Sequence, residues 1–312
     1  MHRAFGKVIL LGEHAVVYGH PALCGALADG VTVETAPGRG SLRIPAWNVE
    51  LDAADPMRDG LPIGRAYLAL RGRLGLGLSS PVDLTVHFAV PTGAGLGSSA
   101  AMAVAVARAL VAAHDLTVTP ALIADAAMAS EQVIHGKPSG LDHTVANEGG
   151  FGIFTKARGL TPIAAREPIQ LVVGHTGRER DTKGRIARIA ELLGEREGEV
   201  RGRFAAIEKL VERGRAAVER GEYGELGAAM NENQKHLAAL EVSCPEIEFL
   251  CSAATAAGAV GAKLTGGGGG GCVIALAPGR EAAVRDAWEQ KGHRAFITTV
   301  GTTVGTTVGA AS

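Results

Sequence analysis

Residues 91–100 read Pro-Thr-Gly-Ala-Gly-Leu-Gly-Ser-Ser-Ala and run straight into an alanine-dominated stretch of helical composition. Glycines at 93, 95 and 97 leave the backbone bare where a helix should begin. The N–H groups of Gly93, Ala94, Gly95, Leu96, Gly97, Ser98 and Ser99 can therefore converge, with the positive helix end, on an anion. Phosphate is the expected guest. The loop lacks the Gly-Lys-Ser/Thr ending of a Walker motif and misses the G-x-G-x-x-G spacing of a dinucleotide loop.

Three ionisable residues can complete a phosphoryl-transfer site, which needs a phosphate cradle, a divalent ion and a group that orients or deprotonates the attacking hydroxyl. Lys7 lies in an apolar, strand-like segment where a lysine is costly to bury unless its charge is used. Glu131 falls near the C-terminal end of a predicted helix, where the macrodipole disfavours a carboxylate and a cation would compensate it. Mg²⁺ keeps several waters, so one hydroxyl, Ser99, and one carboxylate, Glu131, suffice as protein ligands; Ser98 is the alternative hydroxyl. Asp142, delivered by the turn through Pro138 and Gly140, is then free to accept a proton, and Lys7 could lower the pKa of the attacking hydroxyl or keep that aspartate ionised. Taken singly, an edge-strand lysine and a surface glutamate are the competing readings.

Two further segments stand out. Glu13 and His14 follow Gly12, which permits a sharp turn. Lys263-Leu-Thr is followed by six glycines and Cys272. Ordering six glycines costs so much entropy that the backbone there is expected to approach another surface closely, a flexible linker being the alternative.

The elements that must position these groups are mixed. Strands are predicted at 5–11, 31–35 and 82–89, and helices at 63–74 and 120–134, so the glycine loop lies between a strand and a helix. A strand at 169–174 opens a second half with helices at 199–220, 226–240 and 245–257. Strands at 259–264 and 272–276, a helix at 280–290 and a strand at 295–300 close it. We expect domains at 1–165 and 166–300, and a low-complexity tail at 301–312.

Composition narrows the partners. With 31 basic and 32 acidic residues, the formal charge of −1 gives no reason to expect nucleic acid or a membrane surface. The longest apolar run, 100–113, is interrupted by Arg108 and falls short of the ~20 residues a span needs. Four cysteines without C-x-x-C pairing fit a reducing compartment, so a cytoplasmic protein is expected.

Together, the segments Lys7–Gly19, Pro91–Ala101 and Lys263–Cys272 resemble the three motifs of the GHMP family of small-molecule kinases, in the right order. The resemblance implies an α+β (mixed α/β) chain with a ribosomal-protein-S5-like N-terminal domain and a ferredoxin-like C-terminal domain. It implies ATP as co-substrate, Mg²⁺ on Ser99 and Glu131, Asp142 as base or orienting carboxylate, and Lys7 supporting transfer. Gly12-Glu-His-Ala-Val-Val-Tyr-Gly19, the 131–142 segment and Met230-Asn231 through Leu237 are similar to the members acting on (R)-mevalonate, at its C5 hydroxyl. Glu13, His14 and Thr182 would then face that acceptor, and a homodimer is possible, as among relatives. Gly267 stands where many relatives carry alanine, and the short 35–81 region leaves the adenine contacts unassigned. Phosphorylation of another alcohol or of phosphomevalonate, a diphosphomevalonate-type decarboxylation and a nucleotide-binding regulator are the rival readings.

Overall fold

The computed structural model describes residues 1–52, 54–136 and 138–303. In chain order the strands and helices are β1 His2–Leu11, β2 Ala22–Pro37, β3 Leu42–Ile44, β4 Val49–Leu51, α1 Pro62–Arg73, β5 Val82–Phe88, α2 Ser98–Ala113, α3 Pro120–His135 and α4 Leu141–Glu148. They continue as β6 Phe151–Thr155, β7 Gly159–Ile163, β8 Ile169–His175, α5 Thr182–Arg220, α6 Tyr223–Ala239, α7 Pro245–Ala256, β9 Gly261–Thr265, β10 Cys272–Leu276, α8 Glu281–Glu289 and β11 Ala295–Val300. The chain divides into two compact units, one of residues 1–7, 29–92 and 97–148, the other of 8–28, 93–96 and 149 onward.

In the first unit the second half of β2 pairs antiparallel with β5, from Val31 opposite Phe88 to Pro37 opposite Val82. β3 adds to β5 in parallel and to β4 antiparallel. Val31, Val33, Leu84 and Val86 from the sheet share a core with Tyr67 and Leu70 of α1, Val104 and Leu110 of α2, and Ile123 of α3. α2 is buried nearly all round, which its alanines permit: small side chains let neighbouring helices come close. Its N-terminus is thereby fixed against a rigid base.

In the second unit β8 lies between β10 and β11, both antiparallel to it, and β9 lies outside β10. β11 meets the first half of β2 at Val300 opposite Leu27, and β2 pairs there with β6 of the β6–β7 hairpin. Trp288 of α8 is fully buried over Gly174, where a Cβ would collide with the indole, and its Nε1 donates to the Leu250 carbonyl at 2.9 Å. α6 grips the outer side of β9 with two amide side chains. Asn231 Oδ1 accepts from the N–H of Ala262 at 2.9 Å, and Gln234 Oε1 from the N–H of Leu264 at 3.0 Å. The Asn231–Gln234 motif of the sequence thus secures an edge strand.

Several elements differ from expectation: β2 begins at Ala22 rather than at 31, and β3, β4 and α4 have no counterpart among the expected elements. The helix expected at 199–220 starts seventeen residues earlier, because Asp181 caps it through the Gly184 amide at 3.0 Å, and it bends at Arg196 (φ −142°, ψ 48°). Glycines at 184, 194 and 198 hide that first part from a periodicity reading. The β6–β7 hairpin was not foreseen either, since Pro162 argues against a strand. β7 pairs with β6, which satisfies the ladder on that side, and proline is tolerated on such a strand. The expected tail is described only to Thr303: the Gly301 N–H donates to the Ala26 carbonyl at 2.8 Å, the Thr302 carbonyl accepts from Gly150, and Gly149 bridges to Thr303. Positions 304–312 lie outside the described residues.

Candidate active site

The candidate side chains gather in two clusters, one within each unit, and residues 93–96 of the glycine loop belong to the second unit. In the first, β1 carries Lys7 into the interior, where it is 3% exposed, so it is not an edge-strand lysine. Its stem packs on Gly97: a Cβ there would come 2.9 Å from Lys7 Cγ. Gly97 also has φ +72°, a left-handed conformation that favours glycine, and Gly93 and Gly95 share it at +73° and +91°. α2 begins immediately afterwards with no side-chain cap, so its first amides present their partial positive charge at the loop.

Ser99 Oγ, in the first turn of α2, donates to Glu131 Oε1 at 2.5 Å. Glu131 is only 3% exposed, which removes the surface reading, and His135 Nε2 stands 3.7 Å from its other oxygen. Ser99 rather than Ser98 meets the carboxylate. One hydroxyl and one buried carboxylate form an oxygen donor pair suited to a hard cation such as Mg²⁺, which completes its shell with water and phosphate oxygens. Asp142, in the first turn of α4, makes an ion pair with Lys7 at 3.2 Å (Oδ1 to Nζ) and leaves 37% of its side chain exposed. A hydroxyl arriving from solvent can reach it.

The second cluster forms around Gly12, whose φ of +106° and close approach to Ala22 and Pro21 exclude any side chain. Glu13 and His14, next in sequence, are buried. Glu13 Oε1 accepts from Lys263 Nζ of β9, and Glu13 Oε2 from Asn233 Nδ2 of α6 at 3.4 Å. Reading the sequence did not single out Lys263 or Asn233. The available signal was a second lysine inside an apolar strand, the same anomaly that marked Lys7.

His14 Nε2 lies 3.0 Å from the Gly267 carbonyl. That carbonyl belongs to the glycine run, whose backbone is hemmed in as expected. A Cβ at Gly267 would collide with Thr182 Oγ1, one at Gly268 with the Val242 carbonyl, and one at Gly269 would come 2.8 Å from Arg185 Nε. Thr182, the first residue of α5, thus faces the run with a buried hydroxyl that has no hydrogen-bond partner among the described residues. Arg180 also lies here, with Nη1 3.7 Å from the Cβ position of Gly95 in the glycine loop.

Two expected results follow from this packing. Gly267→Ala drives a methyl into Thr182, and overpacking of this kind costs about 1–3 kcal/mol. Denaturant unfolding should register that loss. Burial pushes the imidazole of His14 down from its ordinary 6.5 to about 4, with Arg185 and Lys263 adding to the effect. Between those values the unfolded chain binds the proton and the folded one does not. The contribution of His14 is therefore complete above pH 6.5 and lost as pH falls toward 4. The melting temperature should fall across this window, and less steeply in His14→Gln.

The family model for the GHMP kinases N-terminal domain matches residues 62–150, and that for the GHMP kinases C terminal matches 215–294. Mevalonate kinase of Pyrococcus horikoshii is 35% identical, with 94% of this chain and 93% of that protein covered. Mevalonate kinase of Aeropyrum pernix is also 35% identical, covering 87% and 86%. The crystal structure of L. major mevalonate kinase in complex with R-mevalonate superposes with a TM-score of 0.85 at 27% identity, over 97% of this chain and 96% of that one. Cradle, lysine and two carboxylates thus fall on a chain alike over nearly its whole length to these enzymes, and it belongs to the GHMP kinase family, among the mevalonate kinases.

Proposed function

We infer that this protein transfers the γ-phosphoryl group of ATP to the C5 hydroxyl of (R)-mevalonate, forming 5-phosphomevalonate and ADP. The observation that supports the mechanism best is the Lys7–Asp142 ion pair, whose lysine stem packs on Gly97 at the start of the helix bearing Ser99. Asp142 takes the hydroxyl proton as the C5 oxygen bonds to the γ-phosphorus and the bond to the β–γ bridging oxygen breaks. Lys7 holds Asp142 in place and presents positive charge to the attacking oxygen. The loop amides from Gly93 to Ser99 cradle the phosphates. Ser99 and Glu131 would hold Mg²⁺, which when bound offsets the charge of the phosphate oxygens. Glu13, His14 and Thr182 line the acceptor side.

The four cysteines, all buried thiols, support a reducing, cytoplasmic location. Among the described residues no helix is long and apolar enough to cross a membrane.

³¹P detection of product from Mg·ATP and a panel of alcohols tests this reading. Mevalonate should give 5-phosphomevalonate without release of carbon dioxide. Turnover of galactose or homoserine with none of mevalonate would overturn it.

A further inference from the structure

Lys263 is fully buried in the second unit, as are Asn233 and Glu13. Its ammonium donates to Glu13 Oε1 and, at 2.5 Å, to the carbonyl of Leu264. Burial pushes this ammonium down from its ordinary range while Glu13 pulls it back up. A dry ion pair of this kind is a poor source of stability, because desolvating both charges consumes much of the Coulomb gain. Its position points to another role.

Residue 14 has φ +62° and ψ −48°, outside the conformations a non-glycine residue adopts freely, and such strain persists only where the surroundings over-determine it. Two contacts flank it. Lys263 pins the carboxylate of Glu13 on one side, and the Gly267 carbonyl holds the imidazole on the other. A carbonyl oxygen can only accept, so Nε2 of His14 carries the proton and donates. A neutral ring then keeps its lone pair on Nδ1.

We propose that Lys263 is a positioning residue for the acceptor alcohol: by fixing Glu13 it holds the strained turn in which His14 is a neutral, Nε2-protonated ring offering Nδ1 as a hydrogen-bond acceptor. The inference rests on the reading that Glu13 and His14 face the acceptor. It implies that His14 reads a hydroxyl hydrogen of the substrate and supplies no positive charge to its carboxylate. The charged groups acting on His14 are Arg185 of α5 and Lys263 of β9, and Glu13 is the carboxylate paired with Lys263.

The wild type provides the first test. Nitrogen-15 NMR of the histidine rings should show His14 neutral with its proton on Nε2 down to about pH 5. A ring titrating near 6.5, or one protonated on Nδ1, overturns the proposal. The second test is Lys263→Met, with Lys263→Gln retaining a donor for Leu264 should the methionine variant fail to fold. Losing the cation removes one of the two positive charges that, with burial, hold the His14 titration down, so that titration should move up. KM for mevalonate should rise at least tenfold while kcat at saturation changes less than threefold. A folded variant in which neither the titration nor KM moves makes the pair structural only and sinks the proposal. If His14 behaves as described but wild-type enzyme never saturates with mevalonate, the acceptor reading fails while the link from Lys263 to His14 stands.

Discussion

Asp142→Asn should lower kcat for mevalonate phosphorylation by at least ~10²-fold, the scale of general base catalysis, while KM for ATP changes little. An amide has nearly the size of the carboxylate but cannot take the hydroxyl proton. The aspartate is partly exposed and the amide keeps an oxygen that can accept from Lys7, so the variant should stay folded and melt within a few degrees of the wild type. Steady-state kinetics beside calorimetry separates the outcomes. An unchanged kcat in the folded variant removes Asp142 from the chemistry, and a collapse of the melting temperature makes it a structural group. Lys7→Met should show a loss of similar order, because the two side chains act on the same oxygen and their effects should not add.

Glu131→Gln should have the next largest effect, and its signature is a changed dependence on Mg²⁺. The glutamine can still accept from Ser99, so the α2–α3 contact and the fold survive. The site loses its negative charge, however, and we expect the Mg²⁺ concentration for half-maximal rate to rise at least tenfold and kcat at saturating Mg²⁺ to fall ~10²-fold. Ser99→Ala removes one neutral ligand and should cost ~10-fold at most. Titrating activity with Mg²⁺, and binding of Mn²⁺ by electron paramagnetic resonance, checks both variants. Equal Mg²⁺ dependence in Glu131→Gln and the wild type would place the ion elsewhere.

The parts of the site legible in the sequence were those with local anomalies. A lysine in an apolar strand, glycines ahead of an alanine helix and a glutamate at the wrong end of a helix each carry a physical cost that only a partner explains. Lys7, the serines at the start of α2 and Glu131 stood out on those grounds and Asp142 only by the turn before it, while Ser98 and Ser99 became distinguishable only once α3 stood beside α2. The cluster around Glu13 was less legible. Glu13 and Lys263 are 250 positions apart and Asn233 lies 220 from Glu13, so nothing in the spacing joins them. Their meeting depends on β9 and α6 packing at the end of β1. The glycine run was recognisable as a close approach, but not that Thr182, Val242 and Arg185 were what it approached. The first half of α5 was obscured by its glycines, since helix propensity there is overridden by Asp181 at the start and by tertiary packing of Ile189 and Leu192.

The grip of α6 on β9 also bears on how these molecules behave in crowded solution. A terminal strand normally offers a row of amides on which a stranger can template itself, the first step toward fibrils. Here the outward N–H groups of Ala262 and Leu264 are already spoken for by Asn231 and Gln234, and the Val260 carbonyl accepts from Asn231 Nδ2. Strand-to-strand polymerisation has no foothold at that border.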